Sequence, residues 1–129
     1  MTDQMPNYAK SQGVRKTQDF ESYAMWKAMP SFLRGQSRQA LERLGLDEDI
    51  TLSLLEIRTQ TEFAKRFDIK DLATLTDWNK RLEQEGLIPR MHAWARRLTP
   101  NVIWALYRTA SKQGKAADVK AWMEIVENM

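Results

Sequence analysis

The segment Thr59-Gln60-Thr61-Glu62-Phe63-Ala64-Lys65-Arg66-Phe67-Asp68-Ile69, followed closely by Thr74-Leu75-Thr76-Asp77-Trp78, constrains the fold most. It reads as a short helix, a tight turn and a second helix. Thr59 or Thr61 can cap a helix start. Glu62 stands three residues after Thr59, the spacing of a capping box. Phe63, Phe67 and Ile69 are apolar, and the small Ala64 between them lets a second helix pass close by. Leu72, Leu75 and Trp78 recur at i, i+3 and i+6, which predicts that this face of the second helix is buried. Lys70, Thr74, Asp77 and Arg81 then fall mostly on the other face.

The rest of the chain also favours helices. Ala, Leu, Lys, Arg, Glu and Gln are many, and Val and Ile are few. Residues 1–17 are polar, carry Pro6 and Gly13, and read as a flexible arm. Lys10, Arg15 and Lys16 in that arm could touch phosphates. Residues 18–129 read as one helical domain. Phe20, Tyr23 and Trp26 form an aromatic core stretch that stops at Pro30. Ser31 to Leu44 is predicted as one helix ended by Gly45 in a left-handed cap. Asp47-Glu48-Asp49 would supply the acidic first turn of the next, strongly apolar helix. The motif spans about 59–84, Gly86 stops its second helix, and Leu87-Ile88-Pro89 reads as a turn or linker. Met91 to Leu98 reads as a short helix. A helical hairpin follows over about 99–128, with Thr99 and Pro100 opening it and Gly114 dividing it. Its last helix, from Ala117, should turn Val119, Trp122, Met123 and Val126 inward. The five Trp residues are expected in the core, with Trp104 nearest the surface.

The pattern Thr59-Gln60-Thr61-Glu62-Phe63-Ala64, then Thr74-Leu75-Thr76-Asp77-Trp78, resembles the helix-turn-helix domains of phage-type DNA-binding proteins and small transcription regulators. Two departures stand out. The usual turn glycine is Asp68, and the stretch from there to Leu75 is one residue longer. More weakly, Leu98-Thr99-Pro100, Gly114 and Ala117-Asp118-Val119-Lys120-Ala121-Trp122 resemble the C-terminal hairpin of such proteins, some of them related to small terminase subunits. The resemblance implies an all-α bundle that binds double-stranded DNA and does no chemistry on it; a cytoplasmic location is the default expectation for a chain without cysteine or a signal-peptide pattern. Thr74, Thr76, Asp77, Lys80 and Arg81 would face base edges in the major groove.

Charge placement is an independent sign. No carboxylate occurs between Glu85 and Asp118, while Arg90, Arg96, Arg97, Arg108 and Lys112 lie there with Lys115 and His92. Such a run attracts phosphate, and those five residues are the expected phosphate contacts. Two other partners stay open: an acidic protein bound by a helical adaptor, and further copies of the chain in a packaging ring or other homo-oligomer.

Other chemistry finds little footing. The chain has no cysteine, so disulfides and thiolate metal sites are excluded. His92 is the single histidine, and no Gly-x-Ser-x-Gly elbow accompanies it. No Gly-rich phosphate loop is present. Asp47-Glu48-Asp49 lacks the spacing of a calcium loop. No catalytic residue, cofactor, metal or small-molecule substrate is expected. No stretch nears the roughly 20 apolar residues of a membrane helix, and 1–7 lacks the pattern of a signal peptide.

Overall fold

Ser37, Thr59 and Asp71 each cap a helix start with a side-chain oxygen. A computed structural model describes residues 18–128; the expected arm at 1–17 lies outside the described residues. Helix α1 covers 18–28 and buries Phe20, Tyr23, Ala24, Trp26 and Ala28. Pro30 stops it, because a proline disfavours helical geometry in the residue before it. A single 3₁₀ turn, Ser31–Leu33, leads to α2 (Arg38–Arg43). Then come α3 (Asp49–Leu55), α4 (Gln60–Arg66), α5 (Leu72–Glu85), α6 (Ile88–Ala95), α7 (Pro100–Gln113) and α8 (Ala116–Glu127). The described residues contain no strand, so the all-α expectation holds.

The single helix expected over Ser31–Leu44 is interrupted. Gly35 takes φ +78° and donates its N–H to the Leu55 carbonyl at 2.8 Å. A Cβ there would lie 2.7 Å from the Arg58 side chain, so only glycine lets the two segments meet. Ser37 then starts α2, its Oγ accepting from the Ala40 N–H at 3.1 Å. At the other end Leu46 N–H reaches the Leu41 carbonyl and Gly45 N–H reaches Glu42, with Gly45 at φ +96°. That is the Schellman closure expected of this glycine.

Two further expectations need correction. Leu87-Ile88-Pro89 is no linker, since α6 begins at Ile88. Proline is tolerated in that first turn because its missing N–H would have no helical partner. In α8 the inward stripe is Trp122 and Ile125, whereas Met123 is 41% exposed. The buried side chains form one contiguous cluster. Its aromatic half joins Tyr23, Trp26, Phe63, Phe67 and Trp78. In its C-terminal half α7 and α8 lie together, and Trp94 meets Trp122 edge-on at 6.0 Å.

Candidate nucleic-acid interface

The α4–α5 corner is built by three local devices. Thr59 Oγ1 accepts from the Glu62 N–H at 3.1 Å, and Glu62 Oε2 accepts from the Arg58 N–H at 2.8 Å. The box thus closes one residue earlier than a standard capping box. At the end of α4 the Ile69 N–H reaches the Ala64 carbonyl at 2.8 Å and the Asp68 N–H reaches Lys65 at 3.3 Å. Asp68, at φ +54°, is the one non-glycine with positive φ among the described residues. Aspartate takes the left-handed position that glycine fills more easily. Asp71 then caps α5, its Oδ1 accepting from the Ala73 N–H at 3.0 Å.

Helix α5 turns Leu75 and Leu82 into the core, with Trp78 and Asn79 half-buried between them. Leu72 departs from its predicted burial and is 64% exposed. It shares the angular stripe of Leu75 but is the first residue of the helix. Helical side chains lean toward the N-terminus, so this one extends beyond the core's edge.

The orientation of α5 rests on a residue the motif reading overlooked. Buried Tyr23 Oη donates to Asn79 Oδ1 at 2.6 Å, and Asn79 Nδ2 donates to Gln60 Oε1 at 3.3 Å. One amide therefore ties α5 to both α1 and α4. A polar side chain between Leu75 and Leu82 on the inward stripe was the available sign.

Burial pushes the Tyr23 phenol above its ordinary range, against smaller opposing effects of Asn79 and Arg34. Tyr23→Phe should cost about 1 kcal/mol at neutral pH, by unpairing Asn79. Above the ordinary tyrosine value of 10.0 the unfolded chain ionises first, so the parent loses stability as pH rises. Burial lowers the Lys27 pKa, which acts in the opposite direction in that range but is common to both proteins. Urea melts of the two proteins from neutral to alkaline pH should therefore show a gap that is constant at first and then shrinks. A gap that stays constant through the alkaline range would place the phenol on the surface.

The expected base-contacting residues divide. Thr76, Asp77 and Lys80 are exposed on the outward face of α5. Thr74 is half-buried. Arg81 lies on the α1 side: its guanidinium sits 4.0 Å from the Phe20 ring centre and its Nε donates to Glu85 at 2.9 Å.

The expected phosphate contacts divide too. Arg90 pairs with Glu21 at 2.7 Å and Glu85 at 3.6 Å. The Glu21 hydrogen bond holds the Arg90 pKa above its usual value, and the Arg81 hydrogen bond holds Glu85 below its own. Arg97 is bonded to Glu48. The acid-free run of the sequence is thus partly neutralised by carboxylates from α1, α5 and the start of α3. Arg96, Arg108 and Lys112 are exposed and make no ion pair among the described residues. Arg108 and Lys112 lie one turn apart on α7, one turn beyond Trp104, which is 42% exposed as expected. Arg96 lines an open cleft of about 390 Å³ with His92, Leu98, Pro100 and Ile125.

No cluster of His, Asp or Glu that could hold a metal occurs among the described residues. No helix among them is long and apolar enough to cross a membrane. The fold defines an all-helical bundle with an outward-facing α5. Compared with known protein families, curated proteins and solved structures, the chain finds no match.

Proposed function

We propose that this chain binds double-stranded DNA in the cytoplasm as a helix-turn-helix protein, without chemistry on the nucleic acid. The observation that carries this reading is the α4–α5 corner. A left-handed Asp68 closes it, Asn79 anchors α5 from behind, and Thr76, Asp77 and Lys80 stand outward on the same helix. These features support the reading because a helix-turn-helix presents the outward side chains of its second helix to the major groove. Phosphate contacts fall to Arg96, Arg108 and Lys112, whose charges no carboxylate holds among the described residues. Arg81, Arg90 and Arg97 serve the fold instead.

A role in a ring of copies is the second reading. Ile50, Ile88, Trp104 and Met123 are exposed apolar side chains. Mass in solution separates a ring from a monomer or dimer.

Titration of a labelled random-sequence duplex at several salt concentrations tests DNA binding. Affinity should fall with salt, with a log–log slope of about 0.9 for each phosphate contacted. Absence of binding at low salt would overturn the reading.

A further inference from the structure

We infer that the first turn of α5 reads the 5-methyl groups of thymines. The inference rests on the DNA-binding reading and names what that helix recognises.

Leu72 is the most exposed large apolar side chain among the described residues, at 64%. Its backbone is held: Asp71 caps the helix, and Asp71 Oδ1 accepts from Ala73 N–H at 3.0 Å. Ala73 and Thr76 are exposed beside it. The Thr76 hydroxyl turns back and donates to the Leu72 carbonyl at 3.4 Å. That bond occupies the polar arm of Thr76, leaving its methyl to the surface. Leu72, Ala73 and Thr76 therefore offer a small aliphatic surface at the end of α5 that would enter the groove first. Lys70 and Lys80 are exposed on either side of this turn in the chain.

The side chains that pair bidentately with guanine or adenine are absent from this turn. No Arg, Asn or Gln stands between Leu72 and Asp77. In the major groove the one aliphatic group a base presents is the thymine methyl, and apolar side chains are its partners. The base contact expected of Thr76 is thus made by its methyl.

The experiment uses the full chain. Duplexes are selected from a random pool made with thymidine, then rebuilt with deoxyuridine at every thymidine position. Each covered methyl contributes about fourfold in affinity, so the parent should bind the thymidine form roughly 15-fold better if two methyls are covered. Leu72→Ala should bind the thymidine form more weakly, with its preference over deoxyuridine largely lost. Leu72→Met should keep most of that preference, and a melt should show all three proteins folded alike. Equal parent affinity for the two forms overturns the inference while salt-dependent binding leaves DNA binding intact. Equal weakening of both forms in Leu72→Ala also overturns it. Failure to bind any duplex at low salt removes the DNA-binding reading itself.

Discussion

Trp26→Ala should leave the protein unfolded, or barely folded, at room temperature. The indole is 1% exposed, and its Nε1 donates to the Ile57 carbonyl at 3.0 Å. Its ring lies 5.7 Å from Phe63 and 5.8 Å from Tyr23, centre to centre. The Arg34 guanidinium rests 4.2 Å from the Trp26 ring centre while donating to the Trp26 carbonyl. Truncation removes the transfer energy of a large side chain and leaves a cavity, about 3–5 kcal/mol together. It also leaves the Ile57 carbonyl without its buried partner, a further cost of about 1–3 kcal/mol. Arg34 loses the ring beneath it, and its Nε is already buried without a partner. A domain's whole stability is only about 5–15 kcal/mol. Trp78 is half-buried, so Trp78→Ala should cost about half as much; its contacts are Phe20 and Tyr23. Urea denaturation followed by circular dichroism checks the order. Equal losses at the two positions would show that the aromatic cluster does not centre on Trp26.

Replacing Arg96, Arg108 and Lys112 together by Ala should flatten the salt dependence of DNA binding. Three phosphate contacts carry a log–log slope of about 2.7, so a fourfold rise in salt should weaken the parent about 40-fold more than the variant. Arg90→Ala with Arg97→Ala should leave that slope nearly unchanged. Those two guanidiniums already hold Glu21, Glu85 and Glu48, and a phosphate would have to displace a carboxylate. Affinity measured at several salt concentrations separates the two sets. A slope lost through Arg90 and Arg97 instead would mean that these ion pairs open on the nucleic acid.

What could be read from the chain beforehand was mostly punctuation. Thr59, Gly45, Gly86 and the Thr99-Pro100 pair mark helix ends through local backbone chemistry, and the helices start and stop at or beside them. Asp68 showed itself the same way, as the residue in the corner where glycine is usual. Other features depend on what comes near from far along the chain. The break at Gly35 exists because Leu55 and Arg58 approach it. Leu72 lies on the inward stripe by spacing alone, but the core ends before it does. The acid-free run between Glu85 and Asp118 is a property of the chain rather than of a surface. Arg90 meets Glu21 across 69 positions and Arg97 meets Glu48 across 49, and neither distance leaves a local sign.

The Tyr23–Asn79–Gln60 link has a consequence for how α5 meets any partner. The helix is already fixed against α1 and α4 while its outer face is bare. The backbone entropy of ordering it is lost during folding, at about 1–2 kcal/mol for each residue, so it is not lost again on contact. Association then proceeds as one rigid surface meeting another, and selectivity comes from shape and side-chain chemistry rather than from a helix that forms on arrival.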